Sequence, residues 1–447
     1  MNLVEKDLKY IWHPCSQMKD YENLEPIVIK KGKGAYLFDI NGKSYLDAVS
    51  SWWVNIFGHS NDRINRAINE QIEKLEHVIF ANFTHKPAIQ LAEKIVEITP
   101  DGLEKVFFSD NGSSAIEVAL KMSFQYHQQA GKLKKQRFAA LQNAYHGETL
   151  GALSVGDLDL YSKVFNPLLL KTLRLEGPDC YRCVYGKCRD NCNIECFESL
   201  EKDFILHHEE LCAVIIEPLI QCAAGMKMYP PAYLKRLRKL CDDYDVHLIA
   251  DEIAVGFGRT GKMFACEHAE ISPDIMCVSK GITAGYLPLA LTLTSDKIYD
   301  AFYGDYLEHK AFMHSHSYTG NPISCAVANE SLSIFETEDI VAKNESTAKY
   351  MLECAKNYFS ESKNIGEYRQ IGMVGAIELV MDKSTKQSFE PQKRIGYEVY
   401  KKGLNKGIII RPLGNVIYFM PPYVVNQKDI DFLYSRTIES ITEVLNQ

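Results

Sequence analysis

Residues Val246–Gly281 read VHLIADEIAVGFGRTGKMFACEHAEISPDIMCVSKG, and the central part of the predicted fold follows from them. The stretch holds two short apolar runs, at residues 246–250 and 274–278. The first run ends at Asp251, and the second ends just before Lys280. Short apolar runs that end in polar residues or Gly indicate strands covered on both faces. We therefore predict two buried strands joined by a Gly-rich loop.

The ends of these strands place a carboxylate and an amine at one edge of the predicted sheet. In open α/β sheets, the carboxyl ends of the strands carry the ligand site. Pyridoxal phosphate needs a Lys that forms a Schiff base and a carboxylate beside its pyridine nitrogen. Lys280 and Asp251 could supply both groups. A surface Lys and a capping Asp also explain the pair, and the two residues alone favour that plainer interpretation.

The composition excludes several classes of protein. The chain has 447 residues, which is long enough for more than one domain. Of these, 46% are hydrophobic and 24% are charged, as is typical of globular proteins. A net charge of −8 gives no basic surface for nucleic acid. No apolar run approaches the roughly 20 residues that cross a bilayer, and the N-terminus has no signal-peptide core. Several of the 13 cysteines fall in apparent core elements, so we expect free thiols and a cytoplasmic location.

Residues 1–60 are predicted to form a small β-containing segment. Asn-Gly at residues 41–42 is a strong hairpin signal. The strand-like runs around it are residues 27–29, 35–39 and 44–47. The segment also holds the adjacent pair Trp52 and Trp53. That pair could pack in a core or interface, or form an apolar wall for a substrate chain, and sequence alone favours packing.

Strands and helices alternate from residue 61 to residue 336, which predicts a parallel sheet covered on both faces. The predicted strands are residues 105–109, 137–142, 213–218, 246–250, 274–278 and 288–294. The predicted helices are residues 62–75, 87–98, 115–129, 231–244 and 324–336. We assign residues 61–336 to a large domain. Residues 337–447 are assigned to a small α+β domain with elements at 341–359, 371–380, 394–406, 408–412 and 416–420.

The turn Asp110–Ser114 joins the first of these strands to a long helix. A Gly/Ser turn that opens a helix points free N–H groups and the positive end of the dipole at a ligand. Gly112 and Ser113 could therefore hold a phosphate group. A Ser N-cap explains the same residues, and the two interpretations are compatible because a cap can also hold phosphate.

Three further polar sites have two interpretations each. Tyr145, which precedes His146 and Gly147, could stack on a flat ring or lie in a surface turn. Residues 313–322, MHSHSYTGNP, could hold phosphate or, through their two His, a metal ion, although no acidic partner lies nearby. Arg411 could clamp a carboxylate with two hydrogen bonds or form a surface salt bridge.

The segment Pro178–Glu198 departs from the alternating pattern. It holds five of the cysteines, which are Cys180, Cys183, Cys188, Cys192 and Cys196. These could bind zinc or an iron–sulfur cluster, but their spacing matches no standard four-cysteine pattern. We therefore assign no metal and favour an excursion packed by Tyr181, Tyr185 and buried thiols.

Seven motifs, in order over nearly the whole chain, resemble those of the class III, fold-type I pyridoxal-phosphate aminotransferases. They are SDNGS at 109–113, YHG at 145–147, EP at 217–218, ADEI at 250–253, GFGRTG at 256–261, SKG at 279–281 and YTGNP at 318–322. Each is weak alone, but seven collinear matches identify the family. The resemblance implies an α/β fold, with a mostly parallel seven-stranded sheet in the large domain and a small α+β domain built from both termini.

The resemblance also implies the residues that bind the cofactor. Lys280 would bind its aldehyde and then act as the base that moves a proton, while Asp251 would pair with the pyridinium nitrogen. Tyr145 and Ile253 would lie on opposite faces of the ring. The phosphate contacts would come from Gly112 and Ser113 and, across a homodimer, from Ser317 with His316.

A narrower resemblance points to the branch that aminates 8-amino-7-oxononanoate in biotin synthesis. It is carried by IWHP at 11–14, SSWW at 50–53, FACEHAE at 264–270, RPLG at 411–414 and YFMPP at 418–422. A long apolar acceptor with one terminal carboxylate requires an aromatic wall and a distant cation. The implied substrate residues are Trp52, Trp53, Tyr145, Lys280, Ser315, Arg411 and Tyr418, with Arg411 binding the carboxylate.

S-adenosylmethionine is the expected amino donor, and lysine is the alternative. The Trp52–Trp53 pair favours the former, whereas residues 280–286 and 314–320 resemble the branch that uses lysine. A broader ω-amino acid aminotransferase, or a paralogue without activity, would also be compatible with much of the sequence. Cys15 stands where relatives often carry Tyr or Phe, so no substrate contact is assigned there, and Ser317 keeps the hydroxyl of the Thr found in many relatives.

Overall fold

A computed structural model describes residues 1–446. Its strands are β1 Ile29–Lys33, β2 Tyr36–Asp39, β3 Ser44–Asp47, β4 Lys105–Ser109, β5 Arg137–Leu141, β6 Leu173–Leu175, β7 Leu211–Ile216, β8 Ile220–Gln221, β9 Lys227–Met228, β10 His247–Asp251, β11 Ile275–Val278, β12 Ala290–Thr294, β13 Ile365–Ile371, β14 Val374–Asp382, β15 Gln387–Ser388, β16 Ile408–Ile409 and β17 Val416–Phe419. Its helices are α1 Leu3–Tyr10, α2 Ser50–Trp53, α3 Asp62–Ile72, α4 Lys86–Ile98, α5 Gly112–Gln129, α6 Leu150–Ser154, α7 Asp159–Ser162, α8 Phe197–His207, α9 Pro231–Asp243, α10 Asp296–Asp300, α11 Pro322–Glu338, α12 Ile340–Phe359, α13 Ile395–Asn405 and α14 Gln427–Leu445.

The central element is a seven-stranded sheet with the strand order β4-β12-β11-β10-β7-β5-β6. The two strands predicted within residues 246–281, β10 and β11, lie side by side and are parallel. Within this sheet, only β12 runs antiparallel to its neighbours, β11 and β4. The predicted α/β class and the mostly parallel sheet of seven strands are therefore confirmed.

Helices cover both faces of this sheet, as the continuous apolar runs require. Along β10, Leu248 and Ala250 pack into the hydrophobic core on one face, while Ile249 packs into the core beneath α5 on the other. Side chains alternate between faces along a strand, so a strand buried on both faces has no polar position to spare. The acid and the amine predicted for the site accordingly lie at the end of β10 and just after the end of β11.

The two ends of the chain share a second core. β3 pairs in parallel with β16, so residues near position 46 and residues near position 408 lie in one sheet. A single hydrophobic cluster joins Leu46 to Ile377, Ile408 and Tyr434. This is the small α+β unit from both termini that we expected. The boundaries at residues 60/61 and 336/337 stay a prediction, and Gln447, the last residue of the 337–447 assignment, lies outside the described residues.

Three local differences from the predicted elements have physical causes. The strand predicted at 371–380 is β14, which begins at Val374, whereas β13 was not predicted; the two strands form a hairpin that turns at Gly372 with φ +53°, where a Cβ would overlap the carbonyl carbon of Thr260. The strand predicted at 27–29 instead begins at Ile29. No helix was predicted at α14, although the Asn426 cap and Asp429 at its start form a capping box. None of the helices found within residues 1–446 combines the length and apolar character needed to cross a membrane.

Candidate active site

A cavity of about 470 Å³ lies where the carboxyl ends of β4, β5, β7, β10 and β11 meet. Strands that run in the same direction bring the residues after their ends to one edge of a sheet. Of the predicted site residues, the cavity is lined by Trp53, Gly112, Ser113, Tyr145, Asp251, Ile253 and Lys280. The amine and the acid that were predicted at one edge thus line the same cavity.

Lys280 begins a short turn after β11 and has a positive φ of 47°. A positive φ in a residue other than Gly is uncommon and is often found where a side chain must be aimed. Its Nζ lies 5.1 Å from the centroid of the Trp53 ring. Burial lowers the pKa of the Lys280 ammonium below its usual value, although the nearby Asp251 works in the opposite direction. A lowered pKa leaves more of the amine free to act as a nucleophile or base.

The carboxylate of Asp251 is buried and held on both oxygens. Oδ2 lies 2.7 Å from Nδ1 of His146, and Oδ1 accepts the backbone N–H of Ile253 at 3.1 Å. The His146 ring is completely buried. From sequence, His146 belonged to a motif but had no predicted role. Its position next to Tyr145, a predicted ring-stacking residue, was the signal that could have drawn attention to it.

The N-terminus of the 18-residue helix α5 faces the cavity and has the features of an anion site. Asn111 caps the helix, with its side chain accepting the N–H of Ser114 at 3.0 Å. Two glycines, which have no side chain, leave space beside this helix N-terminus. A Cβ on Gly112 would lie 3.0 Å from Ile253, and one on Gly147 would overlap the hydroxyl of Ser113.

Tyr145 lines the cavity between two carboxyl groups. Its N–H donates to Oε1 of Glu217 at 3.0 Å, and its hydroxyl donates to Oε1 of Glu148 at 3.0 Å. Burial, together with the neighbouring Asp251, raises the pKa of Glu217 to about 8. Two backbone N–H groups, of Tyr145 and Cys222, donate to its oxygens and work in the opposite direction. The acid after β7 was visible in the sequence as part of the EP motif, but it was not among the predicted site residues.

The Trp52–Trp53 pair lies in a left-handed turn, α2. The φ angles of Ser50, Ser51, Trp52 and Trp53 are 48°, 46°, 77° and 72°. Left-handed conformation costs roughly 1–2 kcal/mol per residue other than Gly, so this turn must be held by its surroundings. Trp53 is buried, and its Nε1 donates to the hydroxyl of Tyr418 at 3.0 Å.

Trp52 is not among the residues that line the cavity and is 38% exposed. The guanidinium carbon of Arg411 lies 4.1 Å from its ring centroid, a stacked cation–π arrangement. Arg411 also donates to the backbone oxygen of Cys15 at 3.3 Å. In the part of the chain that the structure describes, no acidic side chain forms an ion pair with Arg411. The surface salt bridge considered for it is therefore not observed.

Ser315, His316 and Ser317 do not line the cavity of their own chain. Nε2 of His316 lies 3.3 Å from Nε2 of His314, and its backbone N–H donates to the Thr319 hydroxyl at 3.1 Å. Their predicted contacts, including those across a homodimer, remain a prediction.

The five clustered cysteines line a second, small cavity of about 60 Å³. Among residues 1–446, no group of three or more His, Cys, Asp or Glu side chains is arranged to hold a metal ion. The segment instead connects elements of the fold, because Arg182 pairs with Glu378 at 2.7 Å and Lys227 pairs with Asp179 at 2.8 Å.

Comparisons of the sequence and of the structure with known proteins all find aminotransferases. A family profile described as Aminotransferase class-III matches residues 17–441. Adenosylmethionine-8-amino-7-oxononanoate aminotransferases from Geobacter sulfurreducens and Helicobacter pylori are 47% and 44% identical, covering 99% and 100% of this chain and 98% of each relative. The crystal structure of the enzyme of that name from Methanocaldococcus jannaschii has a TM-score of 0.94 at 41% identity, covering 99% and 98% of the two chains. An omega transaminase from Pseudomonas jessenii in complex with PMP has a TM-score of 0.95 at 30% identity, covering 100% and 99%.

Proposed function

Since the chain belongs to the class III aminotransferases, we propose that it transfers an amino group from S-adenosylmethionine to 8-amino-7-oxononanoate, forming 7,8-diaminononanoate in biotin synthesis. The observation that carries the proposal is one cavity that holds Lys280, Asp251 and the N-terminus of α5 together. The relatives that match over nearly their full length bear the name of this activity. The thirteen cysteines are free, which agrees with the expected cytoplasmic location.

Pyridoxal 5′-phosphate fits the residues present. The anion site at Gly112 and Ser113 suits its phosphate, and the space that Gly147 leaves open keeps that site accessible. Asp251, held by His146, suits a protonated pyridine nitrogen, with Tyr145 and Ile253 available to the two ring faces. When bound, the cofactor supplies an electron sink for negative charge at the substrate carbon.

Lys280 is proposed to bind the cofactor covalently and then to serve as the general base. Its lowered pKa suits both tasks, because each requires an unprotonated amine near neutral pH. Nζ of Lys280 would take up the proton that leaves the substrate carbon and hold it for return. Trp53 covers Nζ from one side and helps to exclude water from it.

The acceptor's carboxylate is proposed to bind Arg411. The contacts of this guanidinium within residues 1–446 are a backbone oxygen and the Trp52 ring, so its charge is not neutralised by an acid. A planar guanidinium can hold a carboxylate with two parallel hydrogen bonds. Trp52, Trp53 and Tyr145 offer an aromatic wall for the apolar chain, and Tyr418 supports the Trp53 indole.

We expect Arg411→Ala to raise KM for 8-amino-7-oxononanoate about 30-fold, which corresponds to losing about 2 kcal/mol of a charge-assisted contact. KM for the amino donor should change far less. Steady-state kinetics with each substrate varied in turn would measure both. Arg394→Ala is the matched control, because Arg394 also stacks on an aromatic ring but is paired with Asp20 at the surface. Equal effects on the two substrates would show that the carboxylate binds elsewhere.

The amino donor is tested by direct comparison. Purified enzyme is given 8-amino-7-oxononanoate with either S-adenosylmethionine or lysine, and diaminononanoate is quantified. We expect turnover with S-adenosylmethionine. Turnover with lysine but not with S-adenosylmethionine would overturn the donor assignment. Absence of product from both donors, with activity on an ω-amino acid and 2-oxoglutarate, would overturn the proposed reaction.

We also propose that two copies associate through the face that carries His316 and Ser317. Met313 and Tyr318, on either side of these residues, are 87% and 66% exposed in the single chain. Large exposed side chains clustered around a predicted phosphate-binding loop favour an interface between copies. Light scattering should give the mass of a dimer, and a monomer that retains full activity would contradict this arrangement.

A further inference from the structure

The left-handed turn Ser50–Trp53 has no glycine, yet all four of its residues have positive φ. Two i to i−4 hydrogen bonds close it, from the N–H of Trp53 to Val49 and from that of Val54 to Ser50. Strained backbone persists only where its surroundings determine it, and such strain is concentrated at functional sites. The residues at the end of this turn are the two tryptophans beside Lys280 and Arg411.

Asp47, the last residue of β3, holds the turn from inside the protein. Its side chain is almost fully buried. Oδ1 accepts the backbone N–H of Ser51 at 3.0 Å, and Oδ2 accepts the Ser51 hydroxyl at 2.7 Å. Burial by itself raises the pKa of Asp47, but the hydrogen bonds from His59 and Ser51 outweigh it and leave the pKa below its usual value. The carboxylate is therefore ionised where it contacts the turn.

His59 ties the same carboxylate to the chain that leaves the turn. Nε2 of His59 lies 3.0 Å from Oδ2 of Asp47, and Nδ1 accepts the side-chain amide of Asn55 at 2.9 Å. With Nδ1 as an acceptor, the ring proton is on Nε2, so His59 donates to Asp47. The first residue of the turn is held separately, because the buried Ser50 hydroxyl donates to the carbonyl oxygen of Met420 at 2.7 Å.

We propose that Asp47 is a positioning residue that sets acceptor binding by fixing the left-handed turn and thereby aiming Trp52 at Arg411 and Trp53 at Lys280. The role of Asp47 concerns the same proposed active site, and the identity of the acceptor is taken from the proposed function. Asp47 itself does not line the cavity, so its effect must pass through the tryptophans. Trp53 is fixed by Tyr418 as well, so loss of Asp47 should loosen Trp52 more than Trp53.

The first test measures the tryptophans without any substrate. In a Trp12→Phe background, the near-ultraviolet circular dichroism of tryptophan reports only Trp52 and Trp53, since the chain has three Trp in all. Asp47→Asn should reduce that signal by about half, as fixed asymmetric packing of Trp52 is lost. Asp39→Asn is the matched control, because Asp39 is also buried and accepts backbone N–H groups, at the turn between β2 and β3. An unchanged signal in Asp47→Asn would overturn the proposal, whatever reaction the enzyme catalyses.

The second test is kinetic and includes a rescue. We expect Asp47→Asn to raise KM for 8-amino-7-oxononanoate about 10-fold and to change kcat less than about 2-fold.

Gly adopts φ +46° without strain, so adding Ser51→Gly should restore at least half of the lost affinity and of the tryptophan signal. Adding Ser51→Ala instead should restore nothing, because Ala has the strain of Ser without its hydroxyl. Equal recovery with Gly and Ala, or none with either, would show that Asp47 does not act through the turn. If the unmodified enzyme does not use this acceptor, the proposed function fails, while the tryptophan signal still decides whether Asp47 fixes the turn.

Discussion

Lys280→Ala should lower the rate of transamination by at least about 10⁴-fold, because the chain then lacks both its covalent anchor for the cofactor and its general base. Pyridoxal phosphate should still bind, since Gly112, Asp251 and Tyr145, which are proposed to hold it, still line the cavity. Single-turnover formation of diaminononanoate would measure the first effect, and equilibrium dialysis of the cofactor would measure the second.

Lys262→Ala is the control for this variant. Lys262 lies in the same stretch of sequence but is exposed, and its Nζ contacts only a backbone oxygen, that of Glu267. It should retain the wild-type rate. A Lys280→Ala enzyme that keeps more than about one hundredth of the rate would show that another group carries the proton, and the assignment of Lys280 as base would fail.

Asp251→Asn should have the next largest effect, a loss of about 10²–10³ in kcat. The amide has the same size as the carboxylate but no negative charge. It therefore cannot stabilise the protonated form of the pyridine nitrogen in a buried site. Its N–H₂ group would also face Nδ1 of His146 or the N–H of Ile253, where the carboxylate now accepts. The measurement is kcat under saturating cofactor, together with the absorbance spectrum of the bound cofactor.

Asp245→Asn gives a matched control for the loss of charge. Asp245 stands before β10, at the opposite end from Asp251, and forms an ion pair with Lys132. Its φ of 53° is one that Asn tolerates well. We expect its rate to stay within about 2-fold of wild type, as for most surface pairs. Comparable losses in both variants would mean that charge at residue 251 has no special role.

The large sheet could be predicted from sequence because its strands are buried on both faces and therefore read as uninterrupted apolar runs. The runs at 246–250 and 274–278 are of this kind, and the structure places fully buried strands within one residue of each. The strands of the small domain were less predictable. The strand predicted at 371–380 corresponds to β14, but β13 was missed, and the turn between them depends on the tertiary contact of Gly372 against Thr260.

The candidate site divides in the same way. Lys280, Asp251, Gly112 and Tyr145 follow strands at one edge, so their convergence was a consequence of the predicted topology. The roles of His146, Glu217 and Asp47 depend on which groups face them, such as Asp251 against His146 and Ser51 against Asp47. Sequence spacing does not determine those partners, and nothing in SSWW indicates a left-handed turn, since none of its residues is Gly.

Covalent trapping of the cofactor identifies the reactive lysine without assuming which substrates the enzyme uses. Purified enzyme is incubated with pyridoxal phosphate, reduced with borohydride, digested and sequenced by mass spectrometry. We predict that the phosphopyridoxyl group is found on Lys280, at close to one equivalent per chain. Modification of a different lysine, or an unmodified Lys280 in enzyme that still transaminates, would contradict the assignment on which the proposed function depends.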